Sequence, residues 1–193
     1  MDNIPHIIKH GITHKSSLNA NPNYVPIGDS TLISTRNSHP IIKGKVIGDF
    51  IPFYFGFRTP MLYVIQKGFN GVRAVDPSKI VYVVISIDSI IKSNVPFIYT
   101  DGHATDSFSC VYSQSEISDL ENQLDFRAIR AKYWRDENDL DLKRRKEAEL
   151  LLEDDLPYSY VNGFVVFNDN CKKSLSKFGI PVKKIHINKS YYF

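Results

Sequence analysis

Aromatic side chains are concentrated in one short stretch that also contains a cation. Six of the chain's 24 aromatic residues fall within 14 residues, beside Arg58. Rings next to a basic group can stack on the bases of a single nucleic-acid strand while the cation holds phosphate. A buried strand would explain the same composition, because alternation would turn Phe53, Phe55 and Phe57 toward a core, and we favour it for those three. Tyr54 and Arg58 then lie on the opposite face, available to a ligand.

A second segment, residues 142–152, joins a basic run to glutamates and leucines. Spacings of four residues would pair Lys143 with Glu147, and Arg145 with Glu149, on a solvated helix. On this interpretation the segment has no catalytic role, and the spacing favours it. Periodicity leaves open whether Glu149 lies at the end of this helix or begins a strand.

Two further segments contain residue types that are common in catalytic sites. His103 follows Thr100-Asp101-Gly102 in a predicted turn, and Arg36 lies in Ser34-Thr35-Arg36-Asn37. A single loop histidine or arginine is more often a solvated surface residue than a catalytic group. The residues alone therefore favour a surface position for both.

The elements that would position these residues follow no strict β-α-β order. Periodicity and capping residues predict helices over residues 4–10, 60–66, 88–94, 115–123 and 126–133. Apolar and β-branched runs predict strands over residues 80–87, 97–99, 161–167 and 183–187. Residues 50–57 are predicted to form a buried strand or a strand followed by a turn. Residues 19–50 are predicted to form a long, partly irregular loop, a length typical of a functional segment such as a substrate lid. The mixture predicts an α+β fold.

Length and composition exclude several classes of protein. A chain of 193 residues with 42% hydrophobic and 23% charged residues is typical of one globular domain and not of a disordered chain. Its longest apolar run, residues 80–87, is far shorter than the ~20 residues of a membrane span, and the N-terminus has no signal-peptide pattern. Cys110 and Cys171 fit no disulfide or metal spacing. We therefore expect a cytoplasmic protein with reduced thiols, no metal and no membrane partner.

Charge is distributed unevenly along the chain. The net charge of +3 and a pI near 8.7 are compatible with a polyanionic partner. Residues 1–60 carry +3, residues 61–115 are neutral, residues 116–157 carry −5 and residues 158–193 carry +5. Two basic regions therefore flank an acidic segment that is predicted to be helical.

Several segments, taken in chain order, resemble the DarT family of bacterial toxins, which ADP-ribosylate single-stranded DNA. The similar segments are Met1–Ile7, Thr35–Asn37, Phe50–Phe55, Arg58–Tyr63, Pro96–His103, Tyr133–Trp134 and Lys146–Leu152. The PFYF…R-[ST]-PMLY block and the [KR]-x-A-E-[FL]-L block are specific in combination. The resemblance implies one domain over residues 1–193, with an ADP-ribosyltransferase-like fold of two packed mixed β-sheets flanked by helices around an NAD cleft.

The resemblance also implies a reaction. ADP-ribose would pass from NAD+ to a base of single-stranded DNA, thymidine in the commoner branch of the family, and nicotinamide would leave. Glu149 would be the catalytic glutamate, which favours a strand over a helix end at this position. Arg36 would lie beside NAD+ and the acceptor base, as a second catalytic and cofactor-binding residue.

Other roles follow from the same resemblance. Tyr54, Met61 and His103 would bind NAD+, and Tyr54 and Arg58 would face the DNA. Family members usually carry a His-x-Thr-His strand just before the segment equivalent to Met1-Asp2-Asn3, so we expect a domain without that NAD+-gripping strand. The family further implies a DarG-like macrodomain antitoxin that removes the modification.

Two other functions stay open at this point. One is a non-catalytic module that binds single-stranded nucleic acid on the same scaffold. The other is a transferase of this fold that acts on RNA or protein. Incubation with NAD+ and thymine-containing oligonucleotides would distinguish the DNA transferase from both alternatives, because only the DNA transferase adds ADP-ribose to the DNA.

Overall fold

The structure, a computed structural model, describes residues 1–193 and contains short helices and strands throughout. The helices are α1 (Ile4–His10), α2 (Ser30–Arg36), α3 (Pro60–Lys67), α4 (Ile87–Ser93), α5 (Leu120–Gln123), α6 (Phe126–Arg130), α7 (Leu142–Lys146) and α8 (Asp169–Ser176). The strands are β1 (Pro40–Ile42), β2 (Lys45–Val46), β3 (Ile51–Tyr54), β4 (Tyr82–Val84), β5 (Phe97–Thr100), β6 (Val111–Ser113), β7 (Glu149–Leu152), β8 (Gly163–Val166) and β9 (Ile185–Ile187). Helices and strands that mix without β-α-β order confirm the α+β prediction.

The chain divides into two compact units. The first unit comprises residues 1–27, 64–95 and 154–193, and the second comprises residues 28–63 and 96–153. A single domain over residues 1–193 stays a prediction.

The second unit is built on a four-stranded antiparallel sheet with the strand order β3-β7-β5-β6. Strand β7 is buried along its whole length, as expected for a leucine-rich strand with a neighbour on each side. Successive side chains of a strand point to opposite faces, so Glu149 and Leu151 share one face. On that face Leu151 packs in a core cluster with Ile47, Phe50 and Ile98. Glu149 therefore lies at the border of an apolar cluster.

The first unit contains a three-stranded sheet with the order β4-β8-β9, in which β8 pairs antiparallel with β4 and parallel with β9. Its core is apolar and comprises Ile4, Val161, Phe164, Val166, Cys171, Leu175, Ile180 and Ile185. Helices α1 and α8 each contribute to this core, so the unit buries its own apolar residues.

Most predicted elements occur close to their predicted positions. The helix over residues 4–10 and the strand over residues 97–99 are confirmed, the strand with one further residue. The predicted helix over 126–133 ends earlier, at Arg130. The predicted strand over 80–87 is wrong at its ends, because it spans only Tyr82–Val84. Ser86 caps the N-terminus of α4 by accepting a hydrogen bond from the Ser89 N–H, and a helix therefore replaces the end of the strand.

The long irregular loop predicted for residues 19–50 is also wrong in its second half. Asp29 caps α2, accepting hydrogen bonds from the backbone N–H groups of Thr31 and Leu32. Strands β1 and β2 then form a small hairpin around Gly44, whose φ is +79°. Local capping and turn chemistry therefore order a segment that lacks strong apolar periodicity.

The aromatic stretch forms a strand followed by a turn, one of the two alternatives predicted for it. Strand β3 ends at Tyr54, so the alternation does not continue to Arg58. Phe53, Phe55 and Phe57 are half-buried, whereas the buried residues at the start of the segment are Phe50 and Ile51. The alternation that would place Phe53, Phe55 and Phe57 on one face therefore applies only to Phe53, because the other two lie in the turn after the strand.

Candidate active site

The candidate active site is centred on Glu149, the first residue of β7. The open question of helix end or strand start is settled in favour of the strand. The side chain is 1% exposed. Glu149 pairs with Tyr54 on β3 and with Thr100 on β5, and cross-strand partners project from the same face of a sheet. The register of three strands therefore fixes where this carboxylate lies.

Arg36 holds the Glu149 carboxylate through two parallel hydrogen bonds. Its Nη1 donates to Oε1 over 3.1 Å and its Nη2 donates to Oε2 over 2.8 Å. Arg36 is the last residue of α2, and its side chain is 12% exposed. The two residues are 113 positions apart in the chain, and the planar fork of arginine matches a carboxylate in this arrangement. The predicted surface position of Arg36 is therefore wrong.

The carboxylate also accepts a hydrogen bond from the backbone. The N–H of Ala104 donates to Oε1 over 3.0 Å. A carboxylate has about four acceptor positions, two on each oxygen. Oε1 accepts from two donors and Oε2 from one, so Oε2 retains an acceptor position. A ligand hydroxyl or N–H group would find that position on Oε2.

Tyr54 adds a neutral phenol next to the carboxylate. Burial of the hydroxyl raises the pKa of Tyr54 well above its ordinary value, and the negative charges of Glu149 and Glu147 raise it further. The phenol therefore keeps its proton throughout the physiological pH range. It can donate a hydrogen bond to a ligand beside Glu149.

His103 lies in the turn that brings Ala104 to the carboxylate. Its backbone N–H donates to the Arg144 carbonyl over 3.0 Å, and its Nδ1 is 2.7 Å from the Thr105 Oγ1. The Thr105 backbone N–H also donates to Nδ1 over 3.4 Å, which favours the tautomer with its proton on Nε2. The Nε2–H is then available to a ligand. His103 is thus a neighbour of the Glu149 site and not an isolated surface histidine.

Arg144 fixes this turn. Its Nη1 donates to Asp101 Oδ1 over 2.9 Å, while its Nε and Nη2 donate to the two carboxylate oxygens of Asp141. The hydrogen bonds to Asp141 and the nearby carboxylates raise the pKa of Arg144 above its already high value. The guanidinium therefore remains charged and links α7 to the turn that contains Gly102.

We expect Gly102→Ala to disturb the site from a distance. A Cβ at Gly102 would lie 2.5 Å from Arg144 Nη1 and 2.8 Å from Ser109 Oγ, closer than real side chains allow. Overpacking of this kind costs about 1–3 kcal/mol of unfolding free energy. The turn would have to move and would carry the Ala104 N–H away from Glu149. Thermal unfolding measures the loss of stability.

Gly28→Ala is the matched control, because a Cβ there meets only Ile33 Cδ1, at 3.8 Å. Its melting temperature should stay close to that of the wild type. Equal melting temperatures for the two alanine variants would contradict this description of the turn.

Arg58 and Met61 lie near the end of β3 but not on the carboxylate. Arg58 occupies a left-handed backbone conformation with φ +54°, and Met61 lies in the first turn of α3. Neither is hydrogen-bonded to Arg36 or Glu149. Burial and the charge of Arg58 lower the pKa of Lys146 to about 8. The structure thus brings together Arg36, Tyr54, His103 and Glu149, and leaves the roles of Arg58 and Met61 as predictions.

The solvated-helix interpretation of residues 142–152 is largely wrong. The Lys143–Glu147 pair exists, with 2.7 Å between Nζ and Oε2. The Arg145–Glu149 pair does not, because Glu149 is in a strand and binds Arg36, while Arg145 binds Asp125, Asp139 and Asp141. Sequence patterns identify neither Arg144 nor the Ala104 N–H as part of the site. The basic run was the only sequence signal for Arg144, and a backbone donor leaves no signal at all.

No group of three or more His, Cys, Asp or Glu residues is arranged to hold a metal ion. None of the helices combines the length and apolar character that crossing a membrane requires.

The chain is similar in sequence to known proteins over its whole length. The family model for DarT, described as ssDNA thymidine ADP-ribosyltransferase, matches residues 1–193. A DNA ADP-ribosyl transferase of Escherichia coli O127:H6 is 29% identical, covering 100% of this chain and 89% of the relative. A DNA ADP-ribosyl transferase–DNA ADP-ribosyl glycohydrolase fusion protein of Thermosipho africanus is 26% identical, covering 94% of this chain and 45% of the fusion.

Solved structures agree with the sequence comparison. Thermus sp. 2.9 DarT in complex with ADP-ribosylated ssDNA superimposes with a TM-score of 0.85 at 27% identity, covering 100% of this chain and 92% of that one. The same Thermus protein in complex with NAD+ gives a TM-score of 0.77 over 100% of this chain and 93% of that one, also at 27% identity. The ADP-ribosyltransferase-like α+β fold expected from the resemblance is therefore confirmed.

Proposed function

The chain belongs to the DarT family of single-stranded-DNA thymidine ADP-ribosyltransferases, and from that premise we propose that it transfers ADP-ribose from NAD+ to thymine in single-stranded DNA. The observation that carries the proposal is the buried Glu149 carboxylate, which Arg36 holds through two parallel hydrogen bonds, with one acceptor position left on Oε2. NAD+ is a co-substrate in this reaction.

The carboxylate suits the bond that must break. Cleavage of the nicotinamide–ribose bond sends its electron pair to nicotinamide, which leaves neutral, and positive charge develops on the ribose. A fixed carboxylate in a buried site stabilises that charge where it develops. We assign the free acceptor position of Oε2 to the ribose 2′-hydroxyl. Glu149 is then the catalytic glutamate.

The acceptor base must lose a proton in the same reaction. A bond forms between the ribose C1′ and thymine N3, and the N3 proton passes to a base of the protein. Glu149 is the only carboxylate in contact with Arg36, and it can receive that proton as the 2′-hydroxyl contact is released. Arg36 would hold the negative charge that develops on the thymine as the proton leaves. Both residues are thus proposed as catalytic.

The surrounding groups would bind the two substrates. Tyr54 offers a neutral hydroxyl beside Glu149, and His103 offers an Nε2–H from the adjacent turn. We propose these two residues, with Arg36 and Met61, as the contacts to NAD+. Tyr54 and Arg58 are proposed as contacts to DNA, since a phenol ring can stack and a guanidinium can hold phosphate.

A partner and a location complete the proposal. The Thermosipho relative joins a DNA ADP-ribosyl transferase to a DNA ADP-ribosyl glycohydrolase in one chain. We propose that a separate macrodomain glycohydrolase, DarG-like, removes the modification made by this protein and acts as its antitoxin. Both would act in the bacterial cytoplasm, where their DNA substrate lies.

A panel of acceptors tests the proposed function. The wild-type protein is incubated with NAD+ and, separately, a thymine-containing DNA oligonucleotide, a thymine-free one, an RNA of matching sequence and bulk protein. We expect mass spectrometry to find one added ADP-ribose on the thymine-containing DNA alone. Transfer to RNA or protein instead would favour the transferase with another acceptor. Binding of DNA without any transfer would favour the non-catalytic module.

A further inference from the structure

Lys146 is a buried cation that forms no ion pair. It is the last residue of α7, three residues before Glu149, and it is 1% exposed. The other cations of α7, residues 143–145, are each paired with an acidic residue. Lys146 instead donates to two backbone carbonyl oxygens, that of Ile129 over 3.1 Å and that of Ala131 over 2.6 Å. A buried charge is costly unless it is hydrogen-bonded, so these two bonds account for the position of the ammonium.

The two carbonyl groups belong to the end of α6. The last carbonyls of a helix have no partners within it and carry partial negative charge. Helix α6 ends at Arg130, so Ile129 and Ala131 lie on either side of its last residue. The Lys146 ammonium thus satisfies two carbonyls at this helix end, and it ties α6 to the residues that lead into β7.

The turn after β3, residues 55–58, packs on one of the same carbonyl groups. A Cβ at Gly56 would lie 2.7 Å from the Ile129 carbonyl oxygen and 2.9 Å from Ile129 Cγ2, so only glycine allows this approach. Next to it, the Phe55 N–H donates to the Ala148 carbonyl over 3.2 Å. The turn that follows Tyr54 is therefore in contact with both α6 and the polypeptide that enters β7.

Arg58, in the same turn, lies close enough to act on the ammonium. Burial and the positive charge of Arg58 together lower the pKa of Lys146 to about 8. Two cations repel each other, so they stay close only where other contacts hold them. The hydrogen bonds to Ile129 and Ala131 supply that restraint for Lys146.

We propose that Lys146 is a positioning residue for the transfer reaction. Its bonds to the end of α6 hold Ile129 against Gly56, and this contact fixes the turn after β3 so that Tyr54 stays beside Glu149. Lys146 touches neither substrate and acts through the turn. Catalytic geometry is sensitive to such support, because a displacement of about 1 Å can cost about 10²-fold in rate. The proposal rests on the proposed function, which gives Tyr54 and Glu149 their roles.

The kinetic effect of K146M is the first test. Methionine keeps a flexible apolar side chain but cannot donate to the two carbonyls. We expect kcat for transfer to fall about 10- to 100-fold, while the KM values for NAD+ and for the oligonucleotide change less than kcat does. Assays at a temperature where circular dichroism shows the variant to be folded separate this loss from unfolding.

K184M is the matched control. Lys184 lies in the first unit, and its ammonium donates to the Val161 carbonyl oxygen over 2.9 Å. The substitution removes the same kind of bond but no contact of the turn after β3, so its kcat should stay near the wild-type value. A K146M variant that also keeps a near wild-type kcat would overturn the inference, since Lys146 would then only stabilise the fold.

A double-mutant cycle tests the route through Gly56. The added Cβ of G56A should itself lower kcat, because it forces the turn and Ile129 apart. We expect K146M/G56A to be no slower than the slower single variant, since both changes disturb one contact. Losses that multiply in the double variant would show that Lys146 and Gly56 act independently, which would also overturn the inference.

Hydrogen exchange tests the support of the turn without any transfer. In K146M the Phe55 N–H should exchange about 10-fold faster than in the wild type, because the turn is opened more often, and in K184M its exchange should be unchanged. Unchanged exchange at Phe55 in K146M would overturn the inference even if the protein modifies thymine. A wild-type protein that transfers nothing, but whose Phe55 exchange responds as expected, would refute the proposed function and leave the support of the turn by Lys146 intact.

Discussion

Replacement of Glu149 by glutamine is expected to lower the rate of ADP-ribose transfer about 10²- to 10⁴-fold, the range for loss of one electrostatic or acid–base group. The amide keeps the size of the side chain and can still accept the Ala104 N–H. It loses the negative charge that would stabilise the ribose in the transition state and the ability to take the thymine proton. The measurement is kcat at saturating NAD+ and oligonucleotide. The melting temperature shows that the variant is folded.

Glu153→Gln is the matched control for this prediction. Glu153 follows β7 directly, and its carboxylate is ion-paired with Lys45 over 2.5 Å. Its replacement removes one carboxylate of the same segment but leaves the Arg36–Glu149 pair intact. A Glu149→Gln rate within a few-fold of the wild type would remove Glu149 from the catalytic role.

Replacement of Arg36 by alanine is expected to affect stability and activity together. It leaves the Glu149 carboxylate buried with only the Ala104 N–H as a partner. Removal of one partner from a buried ion pair costs about 3–5 kcal/mol, and we expect the lower end because Arg36 is partly reached by water. Transfer should fall about 10²- to 10³-fold, as for loss of one group that stabilises developing charge. Urea unfolding measures the first effect and single-turnover kinetics the second.

A double-mutant cycle separates the two effects. R36A/E149A has no orphaned carboxylate, so it should be more stable than R36A by about 1–2 kcal/mol. It should be as inactive as either single variant, since both groups serve one reaction. If R36A/E149A is less stable than R36A, the orphaned Glu149 carboxylate is not the cause of the stability lost in R36A.

Local sequence signals predict the helices and strands of the fold but not the contacts within the site. Pro5 and the apolar spacing of Ile4, Ile7 and Ile8 fix α1 where it was predicted. The strand at Phe97 was equally clear from its apolar residues. Such elements follow from local propensity, which a single sequence contains.

The contacts of Glu149 could not follow from local signals. Its ion pair with Arg36 spans 113 positions and depends on three strands and α2 meeting in one register. Local spacing gave Arg145 as the partner, since a helix was the simpler continuation of the basic run. Only the resemblance to the DarT family placed Glu149 in a strand, and that placement is confirmed.

Short elements account for the other differences. Between residues 19 and 50 the chain forms α2 and a two-stranded hairpin, each too brief to produce a periodic pattern. Strand β3 is also short, and because its four residues are followed by a turn at Arg58, alternation could not be extended to Phe55 and Phe57. Caps and tertiary packing determine the structure of such segments, and the alternation of apolar residues predicts neither.

The most direct test of the account is the intact mass of an oligonucleotide that contains a single thymine, after incubation with NAD+ and the wild-type protein or the Glu149→Gln variant. The account predicts a mass gain of one ADP-ribose with the wild type, located on the thymine by fragmentation, and none with the variant over the same time. Equal gains with both proteins, or no gain with the wild type, would contradict it.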